Sequence, residues 1–274
     1  MTKLRVVCSL GLMLLAAPAL FAQKAPAPST TMPKGAHPKS KEEKDALNAL
    51  TALYKNPATT GDQLDAALND FVTKFPTSDY LATVATWGLQ FYQTPPHADY
   101  AKSLVYGEQA IKADPKSLYA LATLGDIIPT QVKDTDLDAD QRLKEATDDD
   151  NAAIQIAQTG GSTINGQPFT DAQKQKLQAI AYTSLARIAN IHKDYPNVVA
   201  NYQKALPFDD AGHQAVDDFY MARAYITMKK WTEANAALDA ALKLAPTDPN
   251  VQAAVASNKK FIAAQQAAGG GGGI

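Results

Sequence analysis

Five carboxylates near the middle of the chain have the residue types and the spacing to hold a cation. Asp134, Asp136, Asp138 and Asp140 alternate, and Glu145 follows five residues after the last of them. Alternating oxygen ligands can curl around a hard ion, and a later glutamate can close the shell with two oxygens. This is the carboxylate spacing of a helix-loop-helix calcium loop. Ala139 stands where such a loop turns sharply and calls for glycine. Gln141 replaces the usual apolar residue, and Arg142 brings a positive charge beside the ion position. The alternative is a solvated acidic turn whose Asp138 or Asp140 caps the helix that follows. Asp148, Asp149 and Asp150 read as a solvated face of that helix.

Other chemistry is thin. His37, His97, His192 and His213 are scattered, without the spacing that puts two ligands on one helical turn. Gly160-Gly161-Ser162 and Gly166 lack the lysine and hydroxyl residue of a phosphate-cradling loop. Ser162 and Ser184 have no nucleophile-elbow context. A non-catalytic role is therefore expected. The net charge of −2 and the absence of a clustered basic face argue against a nucleic-acid partner.

The chain opens on Lys3 and Arg5, an apolar run over residues 6–15 and small residues through Ala22. These features predict a signal peptide over residues 1–22, cut after Ala22, and a periplasmic or secreted product. The apolar run is shorter than the roughly 20 residues that span a bilayer, which favours cleavage over an uncleaved anchor. No later segment is apolar for long enough to cross a membrane. Cys8, the sole cysteine, would leave with the leader, so disulfides and thiolate chemistry are not expected in the mature protein. Residues 23–40 read as a disordered linker rich in Pro and Ala. Residues 41–268 form a helical repeat domain, and residues 269–274 a flexible Gly-rich tail.

What must position any site is a set of elements that recur every 36 residues. Leu185, Ala186, Arg187, Tyr195, Ala205 and Leu206 return as Met221, Ala222, Arg223, Trp231, Ala241 and Leu242. A fixed period of this length marks stacked supersecondary units. The periodicity is helical from Lys41 onward, with no strand pattern. In the first pair, Leu47, Leu50, Leu53 and Tyr54 share a face, and Asn56-Pro57 and Gly61 end the helix. Asp62 is the expected cap of its partner, which buries Leu64, Leu68, Phe71, Val72 and Phe75. The second pair is expected over residues 79–91 and 100–113. The third covers 117–128, stopped by Pro129, and 140–158. The fourth and fifth pairs span 172–207 and 215–246, and a last helix follows Pro249 over 250–268.

Ala222, Tyr225, Trp231, Ala234, Ala241, Leu242 and Pro246 resemble the tetratricopeptide-repeat signature of small residues, aromatics and a closing proline. The run from Ala110 to Pro115, with Tyr100 at its turn, repeats the closing pattern. Small residues let adjacent helices approach closely while aromatics fill the neighbouring gaps. The resemblance implies an all-α, right-handed solenoid of about five antiparallel helix pairs plus a C-terminal capping helix. It further implies a protein- or peptide-binding scaffold of the bacterial cell envelope, whose first helices line a concave groove. By the same resemblance Arg187 and Arg223, one step past the small position, face that groove. Asn190 lies one turn along, and Asp126 holds the corresponding place after Gly125. Two guanidiniums can grip a carboxylate through bidentate hydrogen bonds. Tyr182, Phe219 and Tyr220 would add contact area. The alternative is that the arginines pair with Asp194, Asp217 or Asp218 as solvated surface charges.

Overall fold

A computed structural model describes residues 36–133, 135–164 and 167–269. The expected signal peptide, most of the linker and residues 270–274 of the tail lie outside the described residues. The fold is all-α. Its helices are α1 (Lys41–Lys55), α2 (Gly61–Lys74), α3 (Leu81–Tyr92), α4 (Tyr100–Ala113), α5 (Leu118–Gln131) and α6 (Ala139–Thr159). Then come α7 (Asp171–Ile191), α8 (Tyr195–Ala205), α9 (Ala211–Thr227), α10 (Trp231–Leu244) and α11 (Pro249–Gly269). The sequence pattern misses one small feature. Between α6 and α7, β1 (Thr163–Ile164) and β2 (Gln167–Pro168) pair antiparallel.

Helices pack mainly on their neighbours in sequence, from α1 on α2 through α10 on α11. Among the first helices of successive pairs, α5 also touches α3 and α7. The main core joins Leu47, Leu64, Phe71, Trp87, Leu118 and Ile154 with Ile164 and Phe169 from the α6–α7 connection. Residues 83–90 of α3 are buried on every side, so this helix presents no open face.

Small residues set the closest approaches. A Cβ on Gly88 would lie 2.6 Å from the Tyr106 ring, and one on Gly107 would lie 2.5 Å from Leu124. A polar tie reinforces the same region. The Asp65 carboxylate accepts from the Tyr92 and Tyr106 hydroxyls, each at 2.7 Å, and pairs with Lys102 at 2.6 Å. Burial pushes the Asp65 pKa up, but the hydrogen bonds from Lys102 and the two tyrosines outweigh it and hold the carboxyl below its usual range.

The 36-residue recurrence is also a recurrence of backbone geometry. Lys193 and Lys229, 36 residues apart, both adopt φ 59° where a first helix turns into its partner. At the first turn the Asp194 N–H donates to the Ala189 carbonyl at 2.8 Å; at the second, Lys230 donates to Tyr225 at 2.9 Å. Left-handed backbone is unfavourable for a residue with a Cβ and free for glycine. Lys229→Gly is therefore expected to stabilise the fold by up to about 1 kcal/mol in urea unfolding. No gain would contradict the left-handed turn.

Several boundaries differ from the sequence pattern for identifiable reasons. Thr60, not Asp62, caps α2: it forms a reciprocal capping box with Gln63, and Gly61 is the first helical residue. Pro129 does not stop α5, which continues to Gln131. Proline removes one N–H, leaving the carbonyl four residues back without its helical partner. That carbonyl belongs to Gly125, and the Ser184 hydroxyl of α7 donates to it at 2.7 Å. Pro249 starts α11 rather than preceding it, as a residue without an N–H can do in a first turn. Residues 36–40, expected in the linker, dock on the first pairs. Tyr80 donates to the Ala36 carbonyl at 3.0 Å, and Lys39 pairs with Asp79 at 3.3 Å.

Candidate functional site

The charged residues that the repeat register brings together sit where α5, α6, α7, α8 and α9 meet. Asp126 and Arg187 occupy equivalent positions, one after Gly125 and the other after Ala186. They are joined by an ion pair, Arg187 Nη1 to Asp126 Oδ1, with each side chain 23% exposed. Burial works against the Arg187 charge, but Asp126 outweighs it and holds the guanidinium above its ordinary pKa. The arginine thus pairs with the carboxylate of the preceding pair of helices. It is not a solvated surface charge.

Around this pair lie several carboxyls that burial keeps from ionising readily. Asp150, on α6, has no exposed surface, and neither of its carboxyl oxygens has a hydrogen-bond partner among the described residues. Its carboxyl occupies the space above Gly125, where a Cβ would lie 2.0 Å from Oδ1. This overturns the expectation that Asp148, Asp149 and Asp150 form one solvated face. Asp148 alone is exposed and pairs with Lys144 at 2.5 Å. Asp149 is half-buried, and burial followed by Glu145, Asp148 and Glu108 pushes it up to about 7. Asp217, on α9, is 2% exposed. Burial first, then the neighbouring Asp209 carboxylate, pushes it up to about 9. Burial alone moves Asp218 to about 6. The signal for Asp150 was present in the sequence: it continues the buried stripe Leu143, Ala146, Ala153, Ala157 at helical spacing.

The outer face is made by α9. Tyr220 and Arg223 are exposed, and Phe219 is partly buried. The Tyr220 ring stacks on buried Tyr202 of α8, centroids 6.1 Å apart and planes 8° apart, and meets Phe219 edge-on at 5.8 Å. On α7, Asn190 is exposed, and Tyr182 lies under the Lys204 ammonium at 5.6 Å. Arg223 and Asn190 are thus presented to solvent while Arg187 is engaged internally.

Two recesses flank this region. One of about 390 Å³ lies between α6, α7 and α8, with an apolar floor that includes Leu143 and Ile188 below Thr147, Asn197 and Asn201. The other, about 140 Å³, is lined by Phe208, Asp209, Asp210 and His213.

The described part of the acidic turn, which leaves out Asp134, is held by hydrogen bonds of its own. Asp136 accepts from the Lys133 backbone N–H at 2.9 Å. The Asp138 side chain caps nothing although it sits at the start of α6. Because α6 begins at Ala139, Asp140 and Glu145 are already helical, and Glu145 accepts from Gln141 at 2.9 Å. Arg142 reaches back to the Tyr100 hydroxyl at 2.5 Å. Among the described residues, no group of three or more His, Cys, Asp or Glu side chains is placed to hold a metal ion, and no helix is long and apolar enough to cross a membrane. No protein-family model matches the chain, and no curated protein matches it in sequence.

Proposed function

We propose that the helix pairs form a tetratricopeptide-like solenoid that binds a protein or peptide in the bacterial cell envelope without catalysing a reaction. The observation that carries this reading is the face of α9, where exposed Tyr220 and Arg223 stand together with Phe219 beside them. The repeated turn geometry at Lys193 and Lys229 supports a regular stack. Burial of α3 on every side leaves no open face on the first helix of the second pair. Aromatic and arginine side chains dominate the energetics of recognition surfaces, because they bring large contact area and directed hydrogen bonds. Arg223 would take a carboxylate of the partner, with Asn190 fixing its register. Arg187 acts indirectly: its pair with Asp126 holds α7 against α5, and so holds the platform on which Tyr202 and Tyr220 stack.

The test is affinity capture from an envelope extract with the parent and a Tyr220→Ser, Arg223→Glu variant. Arg223 is at the surface, while Tyr220→Ser gives up the stacking on Tyr202, so the variant is expected to stay folded and to lose about 1 kcal/mol of stability. Its recovery of the partner should fall at least about tenfold, as for loss of an interface hot spot. Equal recovery by the two proteins would remove recognition from this face.

A further inference from the structure

We propose that Asp150 is a neutral acid that latches α5, α6 and α7 together, and that loss of its proton opens this part of the chain. The latch stands independently of any partner on α9.

Its geometry is that of a key in a notch. Gly125 leaves the gap, and the Asp150 carboxyl fills it, close enough that a Cβ on Gly125 would lie 2.0 Å from Oδ1 and 2.5 Å from Cγ. The site is dry, since Asp150 has no exposed surface and neither oxygen has a hydrogen-bond partner among the described residues. An ionised carboxylate there would lose its hydration, and its neighbouring hydroxyl, Ser184, already bonds the Gly125 carbonyl, whereas the neutral acid gives up much less.

The groups facing Asp150 leave its charge uncompensated. From α5 comes Asp126, and from its own helix Asp149, both of the same sign as an ionised Asp150. From α7 come the Ser184 hydroxyl and the Arg187 guanidinium. Ser184 has committed its proton to the Gly125 carbonyl, and Arg187 is paired with Asp126. Burial, the largest influence, raises the Asp150 pKa well above the ordinary value, and Ser184 and Arg187 offset only part of it. The Pro129 substitution of an N–H by a ring carbon belongs to the same device. It frees the Gly125 carbonyl for Ser184, so the hydroxyl that lies beside Asp150 is oriented away from serving it as a donor.

The direction of the effect follows from proton linkage. In the open, hydrated state Asp150 has an ordinary carboxyl pKa of about 3.9. Between that value and the raised value of the closed state, opening releases one proton. The opening equilibrium then climbs about tenfold for each unit of pH.

Amide hydrogen exchange on the full chain between about pH 5 and pH 8 reads this opening directly, once the intrinsic pH dependence of exchange is divided out. In the parent, the corrected exchange of α6 amides around Ala146, Ala153 and Ile154 is expected to rise with pH, by up to about tenfold per unit. Asp150→Asn keeps the shape of the neutral acid and cannot ionise, so its slope should fall by that factor. Asp150→Ala leaves a hole where Asn leaves none, yet must lose the same slope. A flat corrected rate in the parent overturns the latch, as does an unchanged slope in whichever of the two variants folds.

Discussion

Gly125→Ala is expected to lower the unfolding free energy by about 3 kcal/mol, the upper range for forcing extra volume into a packed interior. The added methyl would lie 2.0 Å from Asp150 Oδ1 and 2.5 Å from its Cγ. The obstacle is a short side chain with no exposed surface, so it has little room to swing aside. Alanine is otherwise unremarkable at this register, since Ala186 and Ala222 hold the same place in the fourth and fifth pairs. The loss should accordingly belong to the encounter with Asp150 and not to the helix. Adding Asp150→Ala to Gly125→Ala should restore most of the stability, giving a strongly non-additive double-mutant cycle in urea unfolding. If the single substitution costs nothing, the notch is wider than the packing of α5 on α6 implies.

How much of this was legible depends on the range over which each feature is encoded. Local signals read well: Tyr100 and Ala113 bound α4 as the pattern of aromatics and Asp114-Pro115 predicts. The α2 start was legible too, through Thr60 and Gln63 at capping-box spacing, but an adjacent aspartate competes for the same role on propensity alone. Pro129 misleads because a proline near a helix end removes one hydrogen bond, and the remedy, Ser184, lies 55 residues further along the chain. Asp150 was readable by periodicity and obscured by composition, since its neighbours Asp148 and Asp149 suggest a solvated run. The partnership of Asp126 with Arg187 was hidden more deeply. Both residues were placed in one register, yet 61 residues separate them, not 36. The long α6 and α7 and the hairpin between them break the period where the pair forms. Tyr202 gave no sign of its place beneath Tyr220, because an aromatic on the second helix of a repeat is ordinary core.

Arg187→Met should destabilise the fold by about 3 kcal/mol, the scale seen when one member of a largely buried ion pair is removed. The methionine can occupy much of the arginine's stem volume, so lost packing explains little of that figure. What remains is Asp126, 23% exposed and stripped of the cation that neutralises it, beside Asp150. The cost should therefore follow the orphaned carboxylate and not the lost volume. Removing both charges separates this mechanism from a simple packing defect. Asp126→Leu combined with Arg187→Met leaves no orphaned carboxylate and should recover to within about 1 kcal/mol of the parent. Thermal unfolding of the parent, the single variant and the double variant decides the matter. A double variant no better than the single would mean that Arg187 stabilises the junction through its bulk and not through its charge.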